Sequence, residues 1–156
     1  MRPDPGRLLL PAYPHALEVP ARFSDLDPQN HLNNVAIGNF YEEGRAHFNR
    51  RAFAGVGDRS GLRMMMVNVA ITYLREGRYP GVLTVATGVL RLGSSSFSLG
   101  QGLFQKGECI GVCESVTVHL SDGRPAPLPA EFRAALELHA LQTQPSPLNE
   151  TIGEDA

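Results

Sequence analysis

The chain has 156 residues, of which 42 % are hydrophobic, and its formal net charge at pH 7 is -2. This length accommodates one domain with a hydrophobic core, and so small a net charge gives no electrostatic basis for binding nucleic acid or an anionic membrane surface. No apolar run approaches the roughly 20 residues of a spanning helix, and the apolar run at residues 8–10, which Pro11 ends, is too short for a secretory signal. A cytoplasmic protein without nucleic-acid or membrane partners is expected.

The two ends of the chain differ in composition from the middle. Residues 1–14 contain four prolines and are expected to form an extended arm. Residues 143–156 are mostly polar, and we expect a flexible tail there. Residues 15–142 contain no internal repeat and no low-complexity linker, so a single domain is predicted between the two ends.

The first predicted elements are a strand and a loop. Apolar and polar residues alternate over residues 17–23, which predicts a strand, and Pro20 favours an edge position for it. Turn-forming residues dominate the next segment, residues 25–30, which predicts a loop.

A helix is predicted from about Asn34 to Ala52, because apolar residues recur there at spacings of three and four. Gly38 and Gly44 lie inside it, and each costs roughly 1 kcal/mol relative to alanine. We expect these glycines to allow close approach of other backbone, with the helix buried against a sheet.

The rest of the chain is dominated by strands. Four are predicted, at residues 64–74, 82–92, 97–105 and 110–120. Lys106 and Gly107 predict a hairpin between the last two. Gly100 and Gly102 share one face of their strand, where we expect a helix to lie close. A closing helix is predicted from Pro129 to Leu141.

Segregated strands and helices of this kind indicate an α+β fold, with an antiparallel five-stranded sheet folded around one buried helix. An open sheet of five strands leaves an edge with unpaired backbone groups, to which a second copy can pair. A homodimer or homotetramer is therefore expected.

Cys109 and Cys113 are the only cysteines. Four residues apart on a strand, they should point to the same face and lie roughly 13 Å apart, which is beyond disulfide reach. Their spacing matches no zinc knuckle, so two buried thiols are predicted and no metal site.

Residues 25–34 combine two aspartates, one histidine and three asparagines directly before the buried helix. The start of a helix offers free backbone N–H groups and the positive end of the helix dipole, which can stabilise an oxyanion. A neighbouring carboxylate can act as base or nucleophile toward an acyl carbon. The same residue types also form turns and N-caps, so the residues alone leave catalysis and structure as open alternatives.

Asp25-Leu26-Asp27, followed by Asn30-His31-Leu32-Asn33-Asn34 and then by Glu42-x-x-Arg45, resembles the signature of the 4-hydroxybenzoyl-CoA thioesterase family. The Asp-Leu-Asp…His-Leu-Asn-Asn portion is also similar to plant acyl-carrier-protein thioesterases. Further similarity in segments 71–75, 92–97 and 123–129 extends the resemblance over roughly residues 16–140.

This resemblance implies the hotdog fold, in which the sheet wraps around a central helix. It also implies hydrolysis of an acyl-CoA or acyl-carrier-protein thioester, with no metal and with CoA entering only as part of the substrate. Asp27 corresponds to the catalytic carboxylate, as nucleophile or general base. The backbone N–H of Asn34 falls where the family polarises the thioester carbonyl, and His31 assists the carboxylate or positions water. Asp25 and Asn33 fall at scaffolding positions that fix the loop.

Three residues depart from the family pattern. Asn30 replaces the usual glycine, and asparagine is the non-glycine residue that best tolerates a left-handed backbone. Ile37 replaces a tyrosine of many members, which alters the expected acyl pocket, and Gln29 replaces an asparagine of the plant enzymes.

Other polar residues have two open interpretations each. Glu42 and Arg45, three apart on the helix, form an ion pair at the helix surface or a subunit contact, or else Glu42 is a second catalytic carboxylate. Asn68 lines the substrate pocket or satisfies a buried backbone group.

Ser95 and Ser96 either contact the pantetheine arm of the substrate or form a turn. Arg91 and Lys106 are candidate contacts to the CoA phosphates.

Two further functions compete with hydrolysis. A protein of this fold can bind acyl-CoA without turnover, or it can be a dehydratase, although the aspartate and histidine pattern of such dehydratases is missing from this sequence. A metal hydrolase is disfavoured because Asp27 and His31 lack a third ligand.

Overall fold

The computed structural model describes residues 2–143. Its strands and helices are β1 (His15–Pro20), α1 (Asn34–Ala52), β2 (Arg63–Tyr73), β3 (Val82–Leu92), β4 (Ser96–Gln105), β5 (Glu108–Ser121), β6 (Arg124–Pro125) and α2 (Ala130–Glu137). Short 3-10 turns lie at Pro5–Leu8, Leu10–Ala12 and Phe23–Asp25. No helix in this part of the chain is long and apolar enough to cross a bilayer.

Most predicted boundaries are confirmed. The bounds of α1 and β3 are as predicted, and β2, β4 and β5 differ from prediction by one or two residues at their ends. The first strand stops at Pro20 rather than at residue 23, because the chain turns into the 3-10 turn at Phe23–Asp25. The closing helix ends at Glu137 rather than Leu141, because Ala140 instead pairs with Val89 of β3.

The sheet is antiparallel, with its five main strands in the order β1-β3-β4-β5-β2 and the two-residue β6 paired to β5. It curls around α1, which contacts β1, β3 and β4. The predicted α+β hotdog architecture is thus confirmed.

The helix approaches the sheet most closely at Gly44. A Cβ added at Gly44 would lie 2.8 Å from Gln101 Nε2 and closer still to the Val85 side chain. Gln101 is fully buried, and its Nε2 donates to the Tyr41 carbonyl of α1 at 2.9 Å and to Thr87 Oγ1 of β3 at 3.0 Å. The predicted close approach is confirmed at this glycine, but its partners are side chains of the sheet and not the backbone that was expected.

Gly38 does not have the role expected for it. A Cβ there would meet nothing within 4 Å, because this part of α1 borders the side of the concave face that the helix does not cover. The uncovered side is formed by β5 and the edge strand β2, where Val69 is 44 % exposed and Tyr73 is 49 % exposed.

The first fourteen residues do not run extended but pack against the convex face. The Arg7 guanidinium donates to the Cys113 carbonyl of β5 at 2.9 Å, and the Tyr13 hydroxyl donates to the Arg7 carbonyl at 2.7 Å. Tyr13 and Leu141 lie over Gly102 and Gly100 respectively. The expected helix over these glycines is therefore wrong, and the two chain ends cover them instead. Residues 144–156 of the predicted tail lie outside the described residues.

The two cysteines are free thiols, as predicted, but they do not share a face. A register shift between Leu103 and Phe104 changes the phase of β5, so Cys109 packs in the convex cluster and Cys113 in the core beneath α1. Burial raises the pKa of the Cys113 thiol to about 11.

Replacing Gly44 by Ala should lower the free energy of unfolding by about 1–3 kcal/mol, because the added methyl group overpacks the contact with Val85 and Gln101. Gly38→Ala is the matched control in the same helix. It should be neutral or raise stability by up to about 1 kcal/mol, since it meets nothing and alanine favours helix. Urea unfolding followed by circular dichroism measures both, and equal effects of the two variants would contradict the close contact assigned to Gly44.

Candidate active site

A tight loop connects the 3-10 turn at Phe23–Asp25 to α1. Leu26 and Leu32 form a β-bridge across it, and the Asp27 N–H donates to the His31 carbonyl at 2.8 Å. Asn30 takes the left-handed conformation, with φ of 60°. The expectation that asparagine can replace glycine at this turn is confirmed.

Asp25 and Asn33 hold this loop in place, as the sequence predicts. The Asp25 carbonyl accepts from the Asn33 N–H at 2.8 Å, and the Asn33 side chain caps α1 by accepting from the Ala36 N–H at 2.8 Å. The Asp25 carboxylate is buried and accepts from the Arg22 backbone at 2.8 Å and from the Arg22 guanidinium at 2.9 Å. Burial alone would raise the pKa of Asp25, but the hydrogen bonds and charge of Arg22 outweigh it and lower this pKa below its ordinary value.

A cavity of about 330 Å³ opens where the loop meets the start of α1. One wall comes from the loop and helix and the other from the end of β2 and the segment after it. Its lining residues are Asp27, His31, Leu32, Asn34, Ile37, Tyr73, Leu74, Arg75, Glu76 and Gly77. The structure therefore brings together the three residues predicted as catalytic, Asp27, His31 and Asn34.

The Asp27 carboxylate is held by one of its two oxygens. Oδ1 accepts from the Gln29 N–H at 2.8 Å and from the His31 N–H at 3.0 Å. Oδ2 makes no hydrogen bond within residues 2–143 and is available to a ligand in the cavity. These hydrogen bonds orient the carboxylate and leave Oδ2 without a partner in the described part of the chain.

The first turn of α1 has free N–H donors, and Asn34, which carries one of them, lines the same cavity. The Asn33 side chain accepts from the Ala36 N–H, and the Asn33 carbonyl accepts from the Ile37 N–H at 3.0 Å. The N–H groups of Asn34 and Val35 have no acceptor among the described residues. Together with the helix dipole, they form a place suited to negative charge.

His31 pairs with Glu76, a residue that sequence reasoning did not identify. His31 Nε2 lies 3.0 Å from Glu76 Oε2, and the Arg78 guanidinium lies 3.5 Å from the same carboxylate oxygen. The segment is held against the loop by the Leu32 N–H, which donates to the Gly77 carbonyl at 2.9 Å. In the sequence, the segment around Glu76 is recognisable only as a polar break after a strand. Such a break predicts a turn, but it does not indicate that Glu76 contacts His31, which lies 45 positions away in the chain.

Glu42 and Arg45 do not form the predicted ion pair. Arg45 turns inward, where its guanidinium donates to Gln101 Oε1 at 3.1 Å. Glu42 is exposed on α1 and does not line the cavity that contains Asp27. A catalytic role for Glu42 stays a prediction for a residue that this chain alone does not bring to the site.

Asn68 is exposed on β2, beside a register shift between Met66 and Asn68. Its partner Val116 lies one position from Ser115, which pairs with Val69 on the uncovered concave side. Asn68 thus points to the convex side. It does not line the Asp27 cavity, and it does not satisfy a buried backbone group among the described residues. Without the extra residue at this bulge, Asn68 would point to the concave side, as Met66 does.

Ser95 and Ser96 lie at the turn from β3 to β4, at the other end of the sheet from Asp27. The Ser96 carbonyl accepts from the Gly93 N–H at 2.7 Å, and the Ser95 carbonyl accepts from the His119 N–H at 2.8 Å. The turn interpretation is therefore what the structure shows, and it does not bring either serine to the cavity.

Arg91 and Lys106, the candidate contacts to the CoA phosphates, also do not line the Asp27 cavity. Arg91 pairs with Glu114 of β5. Lys106 and Gly107 form the predicted hairpin turn between β4 and β5, with φ of 51° and 79°. Within the described residues, no cluster of three or more histidine, cysteine, aspartate or glutamate side chains could hold a metal ion.

The chain is similar to known proteins over most of its length. Residues 21–136 match the family described as the thioesterase-like superfamily. No curated protein matches the chain with comparable significance.

Three solved structures resemble the whole domain. One, described as a predicted thioesterase from Bacillus stearothermophilus, is 26 % identical with a TM-score of 0.73, over 83 % of this chain and 98 % of that one. A protein from Pseudomonas aeruginosa is 25 % identical with a TM-score of 0.76, over 88 % and 99 %. A thioesterase from Thermus thermophilus, complexed with coenzyme A and zinc, is 28 % identical with a TM-score of 0.70, over 80 % and 98 %.

Asp25→Asn should lower the free energy of unfolding at pH 7 by about 1–2 kcal/mol, because it removes a charged acceptor from Arg22. Because the pKa of Asp25 is lowered in the folded state, its ionised carboxylate stabilises the fold at pH values above 3.8, the ordinary pKa. This stabilisation is lost as the pH falls through the lowered pKa. Urea unfolding of the native protein and of Asp25→Asn across pH 3 to 7 measures this effect. The difference between their free energies of unfolding should shrink below about pH 4. A difference that stays constant down to pH 3 would contradict the structural role of the charge.

Proposed function

The chain belongs to the thioesterase-like superfamily, and from that premise we propose that it hydrolyses an acyl-CoA or acyl-carrier-protein thioester to a free acid and a thiol. The proposal rests on one observation above all: Asp27 and Asn34, whose backbone N–H is free within residues 2–143, line the same cavity. These are the two groups that acyl transfer requires, a base or nucleophile and a site for the oxyanion. The CoA bound to the Thermus thermophilus relative is consistent with this substrate class.

Asp27 is the proposed catalytic carboxylate. With Oδ1 held by two backbone N–H groups, Oδ2 either takes a proton from an attacking water or itself attacks the acyl carbon. In the first route, Asp27 returns that proton to the departing sulfur as the C–S bond breaks. In the second, the C–S bond breaks as Asp27 and the acyl group form a mixed anhydride, solvent protonates the thiolate, and water then hydrolyses the anhydride to the free acid and the carboxylate. A positioned general base typically contributes about 10²–10⁴-fold to the rate.

The thioester oxygen is proposed to lie against the N–H of Asn34. As the carbonyl carbon becomes tetrahedral, its oxygen gains negative charge, which this N–H and the helix dipole stabilise. Ile37, which is 6 % exposed and lies one turn along α1, forms an apolar wall beside the acyl carbon.

His31 is proposed to work at the rim of the cavity. Its imidazole contacts Glu76 rather than Asp27, and its backbone N–H donates to Asp27 Oδ1. We therefore assign to it two roles, orienting the carboxylate through the backbone and positioning water or the leaving sulfur through the ring. Glu76 fixes the direction of that ring.

A second copy of the chain is proposed to complete the molecule. The outer edge of β2 has no partner strand among residues 2–143, and apolar side chains stay exposed beside it. Edge-to-edge pairing of two β2 strands would satisfy their free backbone groups and cover these side chains. Because Tyr73 at the end of β2 lines the Asp27 cavity, the second copy would lie next to the substrate.

Asp27→Asn should reduce turnover of the best thioester by at least about 100-fold with little change in stability, because asparagine keeps the Oδ1 acceptor and removes only the charge. Release of free thiol from a panel of aliphatic and aromatic acyl-CoAs measures this. Near-normal hydrolysis by the variant would rule out Asp27 as the catalytic group. Tight acyl-CoA binding by the native protein without any thiol release would favour a binding protein instead.

Val67→Glu should convert the oligomer to monomer, because it places a charge on the exposed β2 edge. Val82→Glu is the matched control, since Val82 is equally exposed, at 50 %, but lies at the start of β3. Sedimentation velocity distinguishes the two. A native protein that sediments as a monomer, or a Val67→Glu variant that keeps the native mass, would overturn the proposed pairing.

A further inference from the structure

A second cavity, of about 280 Å³, lies toward the other end of α1. Its floor is apolar and comes from the strands, the loop after α1 and α2, whereas its rim is polar. The apolar lining residues are Phe53, Leu62, Met64, Met66, Phe97, Leu99 and Phe132, and the polar ones are Arg45, Asn49, Arg50, Arg59 and Thr117. None of them belongs to the cavity that contains Asp27.

Three arginines at one apolar cavity are unusual in a chain with a net charge of -2. Arg45, Arg50 and Arg59 form no ion pair within residues 2–143, although five other arginines of the chain do. Arg45 is held by Gln101, Arg59 donates to the Phe53 carbonyl, and Arg50 makes no side-chain hydrogen bond among the described residues. The cavity thus combines uncompensated positive charge with an apolar interior.

The two cavities lie along one face of α1. Asn34, Gly38 and Arg45 are four and eleven residues apart, which places them on the same side of a helix. Along β2, Tyr73 lines the first cavity and Met66 lines the second, and both lie on the same face of the strand. At 1.5 Å per residue, Arg45 lies about 16 Å along the helix from Asn34, and Arg50 lies about 24 Å from it.

We propose that this cavity binds the anionic end of the acyl chain, so that the preferred substrates are long-chain monothioesters of dicarboxylic acids. The inference rests on the proposed function, because it starts from a thioester carbonyl at Asn34. An extended hydrocarbon advances about 1.3 Å per C–C bond, so a chain of twelve carbons covers about 14 Å and brings a terminal carboxylate within reach of the arginine side chains. The hydrocarbon lies against the apolar floor, and the guanidinium groups bind the carboxylate.

The composition of the cavity favours an acyl chain over the pantetheine arm of CoA. A pantetheine arm carries two amide groups, which lose free energy when they are buried without hydrogen-bond partners. Apart from the arginines, the lining offers them only the hydroxyl of Thr117 and the side chain of Asn49. A hydrocarbon needs no such partners.

The test compares dodecanedioyl-CoA with dodecanoyl-CoA, which differ only at the far end of the acyl chain. The native protein should have the higher kcat/KM for the diacid thioester, and Arg50→Gln should lower the ratio of the two values about tenfold. Arg50→Lys keeps the charge and should restore most of the ratio. Arg124→Gln, which removes the same charge from exposed β6, is the control and should leave the ratio at its native value.

Three outcomes would overturn the inference. One is a native enzyme without preference between the two thioesters, and another is a ratio that Arg50→Gln leaves unchanged. The third is an Arg50→Gln variant that loses both activities alike and is less inhibited by free CoA, which would place the CoA phosphates at the arginines.

Calorimetric titration with free dodecanedioic acid tests the cavity without turnover. The native protein should bind the diacid more tightly than dodecanoic acid, and Arg50→Gln should remove that difference. Should thioester hydrolysis fail altogether, this titration still decides the inference. Equal affinity for the two acids would overturn it.

Discussion

The close contact between α1 and the sheet at Gly44 determines the position of everything else. Only a glycine lets the helix backbone approach Val85 and Gln101 so closely, and Gln101 then binds the Tyr41 carbonyl from beneath. A rigid helix fixed at its middle has a fixed beginning, so the free amides of its first turn are placed without any further contact. The catalytic proposal depends on this contact, although Gly44 lies ten residues from Asn34.

The loop before the helix is positioned by a second set of contacts. Asp25 and Asn33 join its two ends, and the Leu32 N–H ties it to the carbonyl of Gly77 after β2. This arrangement leaves Asp27 with one oxygen bound and one free. The contacts of Asp25 and Asn33 hold the loop in one conformation, and the half-exposed Asp27 keeps one carboxylate oxygen free to react. The loop can therefore stay rigid while this carboxylate takes part in chemistry.

Local patterns were sufficient to predict most of the fold from the sequence. Spacing of apolar residues predicted α1 at its observed bounds, and the Lys106-Gly107 pair predicted its hairpin, because both depend on residues close in the chain. The candidate site was predicted through Asp27, His31 and Asn34 for the same reason, since all lie within one short segment. The pairing of His31 with Glu76 could not be predicted, because it depends on which loop the sheet brings alongside.

Register shifts account for two of the other differences. A single extra residue in β2 or β5 reverses the side to which later side chains point, which turns Asn68 away from the concave side and separates Cys109 from Cys113. Arg45 was misassigned because its partner Gln101 is 56 positions away, and spacing along a helix indicates only neighbours within a turn.

The two chain ends that cover the convex face also affect how the sequence can diverge. With α1 on one side and the residues around Tyr13 and Leu141 on the other, every residue of β4 after Ser96 is buried. A central strand of most antiparallel sheets keeps one solvent-facing side, on which substitutions accumulate freely. Here β4 has no such side, so we expect drift among relatives to concentrate in the peripheral strands and in the loops, while the middle of the sheet stays restricted to residues that suit a strand buried on both faces.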